Sequence, residues 1–155
     1  MNSNLKLEKA EKAITGWMAK NGLMLLRISI GIIFFWFGFL KFFEGMSPAE
    51  DLAIKTIDKL TFNLLPDKVI IYGLAVWEVL IGIGLIINRF MRATLLLLFL
   101  QMLGTFTPLF LFPQEVFYIF PVSLTIEGQY IVKNIILISG AIVLGANIRR
   151  DRVVT

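Results

Sequence analysis

Glu78 stands inside a long apolar run, and the cations Arg27, Lys41 and Lys133 stand in two others. Lipid tails cannot solvate such groups, so they must point inward together. A carboxylate among ammonium and guanidinium groups can lock helices as an ion pair or relay a proton. Desolvation works against an isolated Glu78 carboxylate, whereas a cation within about 4–6 Å holds it ionised. Gln101 adds an amide in another run, Trp77 adds an indole beside Glu78, and Glu127, Gln129 and Tyr130 gather near Lys133. The chain has no cysteine, which excludes thiolate catalysis, disulfide exchange and iron–sulfur ligation within it. It has no histidine, the usual axial ligand of a membrane haem and a usual ligand of zinc or copper, so no metal site is expected.

The runs that must position these groups cover residues 22–43, 69–87, 91–112 and 129–148. Each is close to the ~20 residues that a helix needs to cross a hydrocarbon core of roughly 30 Å. With 57% hydrophobic and 17% charged residues in 155, the chain is expected to be all-α, one polytopic membrane domain over 1–155 built as a four-transmembrane-helix bundle. Basic residues collect at one set of flanks: Lys6, Lys9, Lys12 and Lys20, then Arg89 and Arg92, then Arg149, Arg150 and Arg152. Positive-inside bias accounts for them and for the net charge of +4 without nucleic acid, and it makes both termini cytoplasmic.

Residues 1–20 are too charged for the apolar core of a signal peptide. Leu7, Ala10, Ile14, Trp17 and Met18 recur at helical spacing opposite the lysines, which predicts an amphipathic interfacial helix on the cytoplasmic leaflet. Ser47-Pro48-Ala49-Glu50 reads as a capping box opening a short outer helix to about Leu60, whose Leu52, Ile54, Ile57 and Leu60 would rest on the bundle as a lid. Pro108, flanked by Thr105 and Thr107, predicts a kink or the outer end of the third span. Pro113 and Pro121 bound an expected non-helical outer loop carrying Phe117, Tyr118 and Phe120.

Steps of three and four residues put Arg27, Gly31, Phe34, Gly38 and Lys41 on one stripe of the first span, and Ala75, Glu78, Gly82 and Leu85 on one stripe of the second. Thr94, Leu98, Gln101, Thr105 and Pro108 align in the third, and Gln129, Lys133, Ile136, Gly140 and Asn147 in the fourth. Small residues let backbones approach, and polar groups on the same stripes then meet across the contact. Glu78 lies roughly 13 Å deep, near the midplane, where Arg27 could extend toward it. Lys41 either joins the cluster of Glu127, Gln129, Tyr130 and Lys133 or snorkels to the outer head groups.

The segments LLRISIGIIFFWFGFLKFFEG, WEVLIGIGLIINR and LTIEGQYIVKNIILISGAIVLGA resemble the DoxX family of small four-helix membrane proteins over roughly residues 23–146. The family's R-x3-G, G-x2-K and E-x3-G features fall on Arg27 with Gly31, Gly38 with Lys41, and Glu78 with Gly82. The family is similar to the membrane subunit of thiosulfate:quinone oxidoreductase, so the resemblance implies a redox role at the quinone pool, expected here in a bacterial inner (cytoplasmic) membrane. Any such role needs an organic carrier or a partner subunit, because the chain has neither thiols nor imidazoles. On that reading the partners are the lipid bilayer, a quinone held without a covalent link, and a second protein or a further copy of the chain. Lys41 and Lys133 would then hydrogen-bond a quinone carbonyl, Glu78 or Glu127 would relay the proton, and Tyr130 and Trp77 would stack on the ring. Arg27, Gln101 and Gln129 complete the expected binding set. Two other classes fit the same residues: a membrane scaffold whose polar core fixes helix register, and a proton-coupled small-solute transporter.

Overall fold

The computed structural model describes the backbone over residues 2–148 and side chains over 6–148. Arg149, Arg150 and Arg152, part of the charge asymmetry noted above, lie outside the described residues. The described residues are almost entirely helical, with four stretches among them long and apolar enough to cross a membrane: Lys6–Leu40, Asp67–Ile87, Met91–Leu111 and Ile126–Ile148. They are built from α1 (Asn2–Leu40), α3 (Asp67–Ile87), α4 (Met91–Phe106) with α5 (Pro108–Leu111), and α7 (Ile126–Val132) with α8 (Ile135–Ile148). Between the first two runs lies α2 (Glu50–Leu60), and between the last two lie α6 (Pro113–Val116), β1 (Phe117–Ile119) and β2 (Ser123–Leu124).

The α1–α3 pair is the most extensive helix contact, and glycine makes it possible. A Cβ at Gly38 would sit 2.8 Å from both Glu78 Cβ and Val79 N, and one at Gly31 would sit 3.1 Å from Gly82 O. Only hydrogen at these positions lets the two backbones touch. The expected stripes of α1, α3 and α4 thus face inward, with Phe34, Ala75, Gly82, Leu85, Thr94, Leu98 and Pro108 all buried.

Two apolar cores result. One joins Ile30, Phe34, Ile81, Leu85, Leu95, Leu98, Met102, Ala141 and Leu144 toward the Arg27 end of the bundle. The other joins Leu52, Val116 and Ile131, with Phe106, Phe112 and Leu124 packed on it, at the Lys41 end. The second core fastens α2 over the bundle as a lid, and a bidentate Lys55–Glu115 pair at 3.1 Å ties α2 to α6.

At Pro108 the helix breaks as expected, with a specific repair. Proline offers no N–H to Gly104 O, so Thr107 N–H turns to it at 3.1 Å, and the Thr107 hydroxyl takes the vacated Leu103 O at 3.0 Å. Thr105 likewise bonds back to Gln101 O at 2.9 Å.

Four expectations are corrected. First, residues 2–20 are helical but form no separate element: α1 runs unbroken into the first span, with no proline to end it. Second, Ser47 caps nothing. Ala49 adopts a left-handed conformation (φ 56°), α2 begins only at Glu50, and no side chain caps it. The buried Ser47 hydroxyl donates to Pro48 O at 3.5 Å instead, and Glu50 and Asp51 supply negative charge to the first turn. Third, the 113–121 segment holds the single turn α6 and half of a β-hairpin in which Phe117 pairs with Leu124. Thr125 fixes its base, donating to Glu115 O at 2.8 Å and accepting from Gly128 N at 3.0 Å as the N-cap of α7. Thr125→Ala is expected to cost about 1–2 kcal/mol of stability in chemical unfolding; an unchanged midpoint would remove the hairpin base as an anchor.

Fourth, the fourth run is interrupted at Lys133–Asn134, where Asn134 N–H reaches back three residues to Ile131 O at 3.0 Å. That 3₁₀-type tightening shifts the helical phase. The expected stripe is not the inward face even before that break: in α7 Gly128 and Ile131 are buried while Gln129 is exposed, and beyond it Lys133 and Ile136 are exposed, Asn147 is half-buried, and Gly140 alone of the five is buried, beside Ala141 and Leu144.

Candidate functional site

Between the two cores the helices leave a cavity of about 410 Å³. Phe34 and Met102 close it on the side of one core, Leu52 and Ile131 on the side of the other, and α2 covers it with Ala53, Thr56, Ile57 and Leu60. Its polar wall consists of Lys41, Glu78, Gln101, Thr105, Tyr130, Lys133 and Asn134. Ile33 and Ile136 also line it while remaining 39% and 73% exposed, so the cavity opens sideways between α1 and α8 onto the apolar flank of the bundle.

Glu78 sits midway along α3, its backbone fixed against Gly38. Lys41 Nζ lies 2.6 Å from Glu78 Oε2, and Gln101 Nε2 donates to Oε1 at 2.9 Å. The Lys41 and Glu78 side chains are only 10% and 12% exposed, so this is a desolvated pair with each carboxylate oxygen bonded. Two helices, α3 and α4, meet in that cluster with the turn that follows α1. Lys41 therefore turns inward rather than out toward head groups, and it rather than Arg27 is the partner of Glu78.

Arg27 has another task. Its guanidinium donates to Leu85 O and, at 3.0 Å, to Ile86 O, satisfying carbonyls of the last turn of α3. It lies two turns from Glu78 along α3 and does not line the cavity.

Lys133 occupies the rim. Its Nζ is 3.6 Å from the centroid of the Tyr130 ring and 5.5 Å from that of Phe37, and the two rings meet edge to face at 6.4 Å. Among the described residues Lys133 makes no ion pair, so its charge rests on aromatic faces. Lys41 and Glu78 offset one another, which leaves Lys133 as the uncompensated charge on the cavity wall.

The other expected residues stand elsewhere. Trp77 donates its indole N–H to Leu97 O at 3.1 Å, joining α3 to α4 away from the cavity. Glu127 and Gln129, in the first two turns of α7, do not line it either. Sequence reasoning missed Thr56 and Asn134 as wall residues. Asn134 was visible as one of three amides in the fourth run, next to Lys133, whereas Thr56 gave no signal in the sequence; its hydroxyl is bonded to Leu52 O at 2.6 Å.

The wall can hold a polar head group at Lys133 and Tyr130 beside a buried proton-bearing pair, and the side opening suits a molecule whose remainder is apolar. No curated protein and no solved structure matches the chain. The DoxX family model matches residues 22–113, which takes in α1 from Gly22 and the turn after it, the lid α2, α3, α4 and α5, the segments that carry Lys41, Glu78 and Gln101. Covering more than half of the sequence, that match establishes that this membrane protein, with its four candidate spans, belongs to the DoxX family.

Proposed function

We propose that this DoxX protein holds a quinone in the cavity beneath α2 and serves as the membrane subunit of a redox assembly. The observation that carries the reading is the side-opening cavity with an uncompensated lysine at its rim and a buried ion pair on its wall. Its volume of about 410 Å³ falls in the range of small-ligand sites, roughly 300–1,000 Å³. A ring would enter between α1 and α8 with its apolar tail trailing into lipid. Lys133 would leave the Tyr130 face to donate to a carbonyl oxygen and hold negative charge there. The Lys41–Glu78 pair would supply or accept a proton across its 2.6 Å contact, with Gln101 fixing the carboxylate. Glu127, outside the cavity, is not needed. A bound quinone supplies the two-electron chemistry that the side chains lack, and a partner protein must deliver or remove the electrons.

Purification in native-lipid nanodiscs followed by mass spectrometry of the extract tests this. Wild type should carry near-stoichiometric isoprenoid quinone, and Lys133→Met should retain about tenfold less, the loss of one charge-assisted hydrogen bond. Quinone no richer than in bulk lipid would end the proposal. The full occupancy of both Glu78 oxygens also favours a scaffold reading, in which the ion pair only sets helix register and neutral replacement leaves partner binding intact.

A further inference from the structure

Beyond the cavity, the least explained part of the molecule is the beginning of α1. Leu7, Ile14, Trp17 and Met18 are each more than half exposed. Because α1 continues unbroken into the first span, this segment extends the transmembrane helix by about 30 Å. It cannot also lie flat on the leaflet without a bend, and α1 holds no proline to make one.

The spacing of its apolar residues is specific. Leu7, Ala10, Ile14 and Trp17 follow one another by three, four and three residues, and the pattern continues through Asn21 to Met24. That is the a/d seam of a coiled coil, with Asn21 at an a position, where a polar residue fixes register. Asn21 bonds its own Trp17 O at 2.9 Å in the single chain, so pairing would have to redirect it. Lys9, Lys12 and Ala19 fall away from the seam.

The direction of the seam is also informative. At 3.6 residues per turn it lies roughly a quarter turn from the Gly31–Gly38 face that packs on α3. On that same side of the span stand Leu25, Ile32 and Phe39, all exposed. Neither α3 nor the cavity mouth at Ile33 obstructs it.

We infer that α1 is a dimerisation helix: its first twenty-odd residues form a parallel two-stranded coiled coil with α1 of a second copy. The second copy is favoured over an unrelated partner on two grounds. Membrane insertion holds two copies parallel and in register without any further contact. In a parallel pair, the g position meets the e position five residues later on the other strand, and these are Lys6 and Glu11, opposite charges. The inference is independent of the quinone reading.

The absence of native cysteine makes the test clean. Single variants Ala10→Cys and Ile14→Cys on the seam, and Lys12→Cys and Ala19→Cys opposite it, are oxidised in native membranes carrying the full-length protein. The seam variants should form disulfide dimers at least about tenfold faster, because only there do paired Cα atoms come within disulfide reach. Lys6→Glu should slow the Ile14→Cys reaction, and adding Glu11→Lys should restore it. Equal rates on both faces mean random collision and overturn the inference. So does the lack of any disulfide dimer at the seam. In that case quenching of Trp17 by chain-brominated lipid, with Trp36 and Trp77 changed to Phe, would assign the segment to the membrane surface instead.

Discussion

Lys41→Met is expected to lower the stability of the bundle by about 3–5 kcal/mol, the usual cost of removing one partner from a buried ion pair. Methionine keeps the apolar stem of lysine, so packing changes little and the loss reports the charge. What remains is Glu78 midway along α3 with Gln101 as its one hydrogen-bond partner. Removing both charges should behave differently. Lys41→Met combined with Glu78→Met leaves no orphaned ion, and replacing a buried pair by apolar groups is often neutral. Most of the lost stability should return, read as the midpoint of unfolding in mixed detergent micelles. The same double variant separates the two functional readings. A stable bundle that no longer enriches quinone supports a ligand site on that wall. A stable bundle that keeps wild-type quinone shows that Lys41 and Glu78 only lock helices. If Lys41→Met alone costs less than about 1 kcal/mol, the pair behaves like an exposed one and neither reading can rest on it.

How far the sequence could lead depended on whether a helix stayed regular. On α1, α3 and α4 the three-and-four spacing survives from end to end, so Gly38, Glu78, Gly82 and Gln101 lie on the faces that the spacing implies. The fourth run breaks at Asn134, and the stripe counted through it placed Ile136 inward where the structure has it exposed, while Gln129, before the break, lies beside the buried face of Gly128 and Ile131 rather than on it. No residue type at Lys133–Asn134 announces that break. Pairing was harder to read than faces. Rise per residue gives depth along one helix, but it does not say which other groups need a partner. Arg27 was within notional reach of Glu78, yet unsatisfied carbonyls at the end of α3 lay closer. The capping box failed for a related reason: a local motif was overruled by the burial of Ser47 and the left-handed turn at Ala49. The lid was legible because Leu52, Ile57 and Leu60 form one side of a short helix. The cavity was not, since it is a gap between two cores and no residue encodes a gap.

Gly82→Ala should be the most damaging single-methyl change at the α1–α3 contact. Its Cβ would lie 2.5 Å from Phe35 N and 2.7 Å from Phe35 Cα and Cβ. Those are backbone or backbone-anchored atoms, which no rotamer change can move, so α1 and α3 must separate. Overpacking of this kind costs about 1–3 kcal/mol, and Gly82→Leu should exceed it. Gly73 supplies the control, since nothing stands within 4 Å of a Cβ there. Gly73→Ala should be neutral or gain up to about 1 kcal/mol from helix propensity. The site feels the same wedge. Gly82 is one turn from Glu78, and Gly38, one turn from Lys41, is the residue against which Glu78 Cβ packs. Pushing α1 away at Gly82 therefore lengthens the 2.6 Å contact between Lys41 and Glu78. Once that contact is weakened, removing Lys41 has less to remove, so Gly82→Ala and Lys41→Met should cost less together than the sum of their separate effects. Strict additivity would mean that the glycine face and the ion pair act independently. Coupling would mean that the close approach of two backbones is what brings the charges within reach.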